Sequence, residues 1–285
     1  MFLRRFSVLS RPSDMSSLRS LGTVHDYVHL HLPSSSSFSW ASSLPHTALI
    51  HFRNASARNA FSGKMMAELH DAIDAIECSL PSLSCVVLRG ADGHFCAGAD
   101  IRVAKTHLSS QEGGAAMSRV MTHALSRLRG LPLVSVAVLE GAAVGGGAEL
   151  TTSCDFRIMK TSAKVAFVHA NMGVVPGWGG AARLVKLVGR QQALKLLGRT
   201  EKMDAKKALE IGFADVIADD IEAATIEFLK PFNEKEPHVM QGLKRAVANA
   251  DDIVFDQMQA KEHEIFQELW GGPANIAALD RHRTK

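Results

Sequence analysis

The 285-residue sequence predicts an α/β fold with a helical C-terminal subdomain, on three observations. Short apolar runs read as strands at 47–52, 85–89 and 134–139, the last with the length and β-branched content of a strand buried on both faces. Segments with helical spacing separate these runs. Beyond about residue 200 the chain reads as mostly helical, which suggests an α/β core carrying a helical tail. The expected organisation is an N-terminal tail over 1–45, an α/β core over 46–200 and a helical subdomain over 201–285, with no internal repeat.

Residues 1–20 carry four arginines, many serines and Asp14 as their only acid. That composition fits a mitochondrial presequence or a basic tail without an address. Residues 34–43, SSSSFSWASS, form a low-complexity stretch read as a loop, and all of this is set outside the fold. Thr47–Phe52 is a strand and 53–58 a polar loop. A helix then places Met65, Met66, Leu69, Ile73 and Ile76 on one face. Cys85–Arg89 is a buried strand, followed by a small-residue loop from Gly90 to Asp100. Asp100 is suited to cap a helix whose first turn holds Ile101 and Arg102.

A helix over 111–129 aligns Val120, Ala124, Leu125 and Leu128. Val134–Leu139 leads through Gly141 and the glycines 145–147 into a short helix ending near Thr152, and a further strand is expected from Cys154. Lys164–Val168 is a strand, Met172–Gly180 a second glycine-rich loop and Arg183–Leu197 a helix. Asp204 caps a helix over 204–211, and helices over 220–230, 238–249 and 252–269 complete the chain. The stripe Ile253, Met258, Ile265 and Leu269 suits subunit packing or an ordinary core helix equally.

The formal charge of +3, with basic residues scattered, gives no argument for nucleic acid. No apolar run approaches the ~18 residues that span a bilayer. The four cysteines, 78, 85, 96 and 154, lack metal-ligand spacing and read as free thiols of a reducing compartment, three of them in apolar surroundings.

Gly145, Gly146 and Gly147 at a helix start leave backbone N–H groups open to a ligand, where the helix dipole favours an anion or a developing oxyanion. Glu149 lies just inside that helix. A packing contact with an ordinary capping glutamate would look the same, so a partner motif is needed.

The partner motifs are HFCAGADI (94–101) and GVVPGWGGAARL (173–184) around GAAVGGGAEL (141–150). In order and spacing, from about Ala48 to the C-terminus, they resemble the enoyl-CoA hydratase/isomerase (crotonase) superfamily. The resemblance implies a crotonase-like spiral ββα core and an acyl-CoA thioester substrate. It also implies an oxyanion hole made of the N–H groups of Ala99 and Gly146. The adjoining residues Ala97, Gly98, Asp100, Ile101 and Gly145 are then the CoA-binding loop positions. Homotrimers or homohexamers packed through the helical tail, with no cofactor beyond the CoA of the substrate and no metal, follow from the same resemblance.

Glu149 matches the first of the two glutamates that hydratases of this family use, and His169 stands where the second is expected. That puts hydration in doubt. WGGPAN (270–275) is not a general feature of hydratases. With GGGAELTTSCDFRIM and RQQALKLL it resembles a branch that decarboxylates ethylmalonyl-CoA, and methylmalonyl-CoA alongside it, a metabolite-repair chemistry. Decarboxylation needs an oxyanion hole for the enolate and a proton for carbon 2. In a dry pocket beside the substrate carboxylate, desolvation and like-charge repulsion would keep Glu149 protonated and able to donate that proton. His169 would orient the carboxylate or be satisfied by backbone. Trp178 walls the acyl pocket or packs in the core. Arg58 stands near, but displaced from, the place of the family's phosphate-contacting base, and Arg281, Arg283 and Lys285 form a basic terminus. A single-glutamate hydratase or isomerase and a non-catalytic CoA- or RNA-binding paralogue are the alternatives. The resembled branch implies the cytosol, against the mitochondrial look of the N-terminus.

Overall fold

The computed structural model describes residues 11–22, 25, 27–33, 38–251, 263, 264, 266, 267 and 269–281. Its centre is a six-stranded sheet of β1 (Val28–His31), β2 (Thr47–Phe52), β3 (Cys85–Gly90), β4 (Val134–Leu139), β6 (Phe156–Lys160) and β9 (Val216–Ala218), in the order β1-β2-β3-β4-β6-β9. Only β1 runs antiparallel to its neighbour; the other pairings are parallel. A smaller sheet pairs β5 (Ala143–Val144) with β7 (Lys164–Ala166) and β7 with β8 (Lys202–Asp204).

The apolar runs are continuous because both faces of the large sheet are covered. Successive residues alternate between two cores. Ile50, Phe52, Val86, Leu88, Ala137 and Leu139 join one with α2 (Gly63–Cys78) and α4 (Gln111–Gly130). Leu49, Val87, Val136, Val138 and Ile158 join the other with Trp40, Leu44 and α8 (Ile221–Asn233). The α2 stripe behaves as its spacing predicts: Met65, Met66, Leu69, Ile73 and Ile76 are all buried, and Ser62 caps the helix by accepting from the N–H of Met65.

Much of the stretch set aside at the N-terminus is built into this core. α1 (Pro12–Arg19) packs on α2 and α4, β1 extends the sheet, and Leu18, Trp40 and Leu44 are buried. Residues 1–10 and 34–37 lie outside the described residues. The anchor of α1 is ionic. Arg119 on α4 donates to Asp14 through Nε at 2.8 Å and Nη2 at 3.1 Å, and also to Glu112 at 2.8 Å. Burial pushes the Asp14 carboxyl up, but the hydrogen bonds and charge of Arg119 outweigh it and leave it below its usual 3.8. A carboxyl lowered on folding stabilises the fold above its unfolded value, and that contribution is lost as pH falls through the folded one. Asp14→Ala is therefore expected to cost about 2 kcal/mol at neutral pH, less than a fully broken buried pair because Glu112 remains. In urea unfolding the difference from wild type should shrink once the pH drops below about 4.

The C-terminal part is not purely helical, since β8 and β9 fall within it and β9 forms an edge of the large sheet. Their three-residue length leaves no periodicity to read. The strand expected from Cys154 begins at Phe156, because Asp155 turns its carboxylate back to the N–H and hydroxyl of Ser135. α6 (Gly180–Arg199) is broken at Gly189, whose φ of +76° is outside helical space. Further helices are α5 (Gly146–Thr151), α7 (Ala205–Glu210), α9 (Pro237–Asp251) and α10 (Pro273–Arg281). Of the expected stripe, Ile253, Met258 and Ile265 lie outside the described residues, and Leu269 is exposed.

Candidate active site

Two glycine-rich loops meet edge to edge at the C-terminal ends of β3 and β4. The N–H groups of Phe95 and Cys96 both donate to Ala142 O, and Val144 N–H returns a bond to Cys96 O. The 90–100 loop is tied from below by Asn59, whose Nδ2 donates to the carbonyls of Ala91 and His94. It is tied from the side by a bridge between Phe61 and Ala99. Gly98 makes the close approach possible. Its φ is +92°, and a Cβ there would lie 2.9 Å from Val144 O and 3.1 Å from Gly146 N.

This zipper sets Ala99 beside the start of α5. In the bridge the bonds run from Phe61 N to Gly98 O and from Asp100 N to Phe61 O, so Ala99 N–H faces the other way. Gly146 is the first residue of α5, where the helix supplies no acceptor. Among the described residues, neither N–H meets a protein acceptor. Two neighbouring unpaired donors, one backed by a helix N-terminus, are the arrangement that stabilises a developing oxyanion. The sequence singled out both residues; the fold brings the loops that carry them side by side.

Glu149, one turn into α5, is 1 % exposed and bonded at both oxygens. Oε1 meets His169 Nε2 at 2.9 Å and accepts from Gly177 N–H at 3.2 Å, while Oε2 accepts from Trp178 N–H at 2.7 Å and Gly180 N–H at 2.9 Å. The 177–180 loop wraps the carboxyl so closely that a Cβ on Gly180 would stand 2.4 Å from Glu149 Cγ. Three backbone donors suit a carboxylate, which only accepts. Beside the expected role of Glu149 as the proton donor to carbon 2, the structure adds a loop that donates to both carboxyl oxygens and a neighbour, His169, that shares one hydrogen with it.

His169 opens a 3₁₀ turn (His169–Met172) after β7 and is 8 % exposed. With Nε2 on Glu149, its Nδ1 is buried and lacks a hydrogen-bond partner among the described residues. A buried, unpartnered ring nitrogen is costly unless something else uses it. The alternative of a histidine satisfied by backbone is thus not what the structure has.

Trp178 is both wall and core. Its indole covers Gly146, where a Cβ would lie 2.6 Å from the ring, and it faces Phe61 with centroids 6.1 Å apart. Asp100 caps α3 (Ile101–His107), accepting from the N–H of Arg102 at 2.8 Å and pairing with its guanidinium. Arg58 is exposed; its left-handed backbone (φ 53°) lets its carbonyl accept from Ala97 N–H, which puts it against the 94–100 loop. Ile101 is exposed, and Arg102 and Lys105 line a cavity of about 690 Å³ between α3 and α10. Arg281 lies at the end of α10, while Arg283 and Lys285 fall outside the described residues.

Cys96 adjoins the site, but burial pushes its thiol, like those of Cys85 and Cys154, up to about 12, so all three remain protonated packing groups. Cys78 is exposed, and all four are free. Among the described residues no cluster of His, Cys, Asp and Glu is arranged to hold a metal, and no helix is long and apolar enough to cross a membrane.

Sequence reasoning missed Arg183. It is 1 % exposed and donates to Thr152 Oγ1 at 2.9 Å, Trp178 O at 2.7 Å and Glu149 O at 3.3 Å, joining the end of α5 to the loop that wraps Glu149. A cation directly after a glycine-rich loop was the only signal available.

The fold and site define the class. The chain belongs to the enoyl-CoA hydratase/isomerase family, whose model matches residues 46–271. Within that family it is 41% identical over 236 residues to the rat (Rattus norvegicus) protein named ethylmalonyl-CoA decarboxylase, spanning 81% of this chain and 78% of that one. It is 39% identical to the human protein of the same name, spanning 81% and 76%. Among solved structures, an enoyl-CoA hydratase from Bacillus halodurans superposes with a TM-score of 0.79 at 21% identity, over 90% of this chain and 100% of that one, which establishes the fold.

Proposed function

We propose that the protein decarboxylates ethylmalonyl-CoA to butyryl-CoA, and methylmalonyl-CoA to propionyl-CoA. The observation that carries this reading is the Glu149–His169 contact of 2.9 Å: a histidine stands where a water-activating pair would need its second carboxylate. The naming of relatives at about 40% identity supports the same reaction.

The carbon–carbon bond to the free carboxylate of the substrate breaks, CO2 leaves, and the electron pair flows into the thioester carbonyl. The N–H groups of Ala99 and Gly146 receive the enolate oxygen; a single such donor is typically worth ~3–4 kcal/mol. Carbon 2 then takes a proton. Glu149 is held by three backbone N–H groups, so the proton comes from His169 carrying a hydrogen on both ring nitrogens: the Nδ1 hydrogen passes to carbon 2, the Nε2 hydrogen stays on Glu149, and the ring is left neutral until solvent restores the proton. Trp178 closes the acyl end. The backbone of Ala97, Gly98, Asp100, Ile101 and Gly145 lines the path of the CoA moiety, and Arg58, Arg102 and Lys105 supply cations for its phosphates. The reaction needs no cofactor and no metal.

The role is removal of misformed carboxylated acyl-CoA, a metabolite repair. We assign it to the cytosol, supported by the seating of α1, since cleavage beyond residue 19 would strip Asp14 from Arg119. A C-terminal fluorescent fusion should stay cytosolic; mitochondrial signal would overturn that assignment. For a homotrimer or homohexamer, one candidate surface among the described residues is the exposed row Val239, Leu243 and Val247 on α9.

The test is mass spectrometry of purified protein with ethylmalonyl-CoA and, separately, crotonyl-CoA. Butyryl-CoA from the first with little hydration of the second is expected. Hydroxybutyryl-CoA from the second, with ethylmalonyl-CoA untouched, would make the protein a single-glutamate hydratase.

A further inference from the structure

The WGGPAN segment has no atom within the catalytic pair, yet hydrogen bonds from the 263–281 stretch reach both of its members. Gly177, whose N–H donates to Glu149 Oε1, has a carbonyl on the opposite side of its residue that can only accept. Ser118 Oγ on α4 donates to it at 2.7 Å, assisted by Thr122 at 3.3 Å. The Ser118 oxygen must then accept from His263 Nδ1–H at 2.7 Å, which leaves His263 Nε2 to accept from Gln267 Nε2 at 2.9 Å. The donors therefore run head to tail from Gln267 through His263, Ser118 and Gly177 to the carboxylate. Phe266 closes over Gly177, where a Cβ would lie 2.3 Å from its ring.

The second point of contact is on the His169 side. Asn275, 1 % exposed, donates from Nδ2 to the carbonyl of Met172 at 3.0 Å, the last residue of the His169 turn, while its Oδ1 accepts from Gly271 N–H at 2.9 Å. Trp270 anchors this arm. Its indole N–H donates to Leu108 O at 2.6 Å, and its ring fills a notch on α4 that exists because residue 114 is glycine.

We propose that His263, Phe266, Gln267, Trp270 and Asn275 form a two-point clamp on the Glu149–His169 pair, with Ser118 and Asn275 as its positioning residues. The inference rests on the reading of that pair as the proton-handling centre. One arm fixes the loop that holds the carboxylate, and the other fixes the turn that carries the imidazole. Loosening either arm changes the distance between the two without touching the CoA-binding loop.

The test uses the full chain with Ser118→Ala, which leaves Thr122 on the Gly177 carbonyl, and the isosteric Asn275→Asp, which removes the donor to Met172. Two readouts are taken: kcat and KM for ethylmalonyl-CoA, and the downfield proton NMR resonance of the His169 N–H directed at Glu149, assigned by its loss in His169→Gln. Expected for both variants is about a tenfold fall in kcat with KM within about twofold, together with a shifted or broadened resonance. An unmoved resonance overturns the clamp whatever the rates do, and so does a moved resonance with unchanged kcat. A KM effect alone also overturns it. Should wild type prove not to decarboxylate, the resonance still decides the clamp, and only the reaction assignment falls.

Discussion

Replacing Glu149 by Gln is expected to lower butyryl-CoA formation by about a thousandfold, within the range of a lost acid–base group, with little change in KM. The carboxylate meets four partners: the N–H groups of Gly177, Trp178 and Gly180, and His169 Nε2. A glutamine offers one oxygen and one NH2. Placing the NH2 at Oε2 would set it against two N–H groups; placing it at Oε1 sets it against one N–H and the imidazole. The second arrangement costs less, but it forces Nε2 of His169 to accept. The variant thus loses both the negative counter-charge and the hydrogen shared with the ring. The buried Gly177 N–H left without an acceptor should also lower stability, by about 2 kcal/mol. Initial rates by mass spectrometry and a thermal melt check the two parts separately. A rate within tenfold of wild type would show that Glu149 does not serve the proton transfer.

The contrast between Glu149 and its loop also shows how much of this molecule is legible in the chain. β2, β3 and β4 declare themselves because a parallel strand covered on both faces is apolar along most of its length, with His51, Arg89 and Ser135 the polar interruptions. The oxyanion positions Ala99 and Gly146 are read from the resemblance that three motifs carry together, since three glycines at a helix start also fit a packing contact. β8 and β9 do not, since three residues carry no period. α1 does not either. Its anchors are charge pairs to residues 105 and 52 positions away, Asp14 to Arg119 and Arg19 to Asp71, and its own residues look like a targeting segment or a tail. Glu149 is the sharpest case. Its position is readable, but its protonation role is not, because the groups that decide it are backbone N–H groups 28 to 31 residues further on, invisible in side-chain identities. The meaning of WGGPAN is likewise hidden. Trp270 and Asn275 act on α4 and on the His169 turn, contacts that only the closed fold creates.

Replacing His169 by Glu is the complementary experiment, because it rebuilds the pair of carboxylates that this sequence lacks. The wild-type site pairs one carboxylate with the doubly protonated ring that delivers the proton, a net charge of zero; the variant has two carboxyls at that distance, which share one proton and carry one negative charge. Relative to wild type the site gains about one unit of negative charge facing the free carboxylate of an ethylmalonyl thioester. At ~4 Å and an effective dielectric of ~20 that repulsion is about 4 kcal/mol, which corresponds to about a thousandfold in rate. Decarboxylation should fall by that order. Crotonyl-CoA carries no such carboxylate, so its binding escapes the penalty, and two carboxyls before the oxyanion hole can hold and activate a water. Hydration of crotonyl-CoA should therefore rise above the wild-type level while decarboxylation collapses, both read by mass spectrometry on one preparation. If decarboxylation survives within tenfold, His169 is not the proton carrier and the substrate carboxylate does not face it.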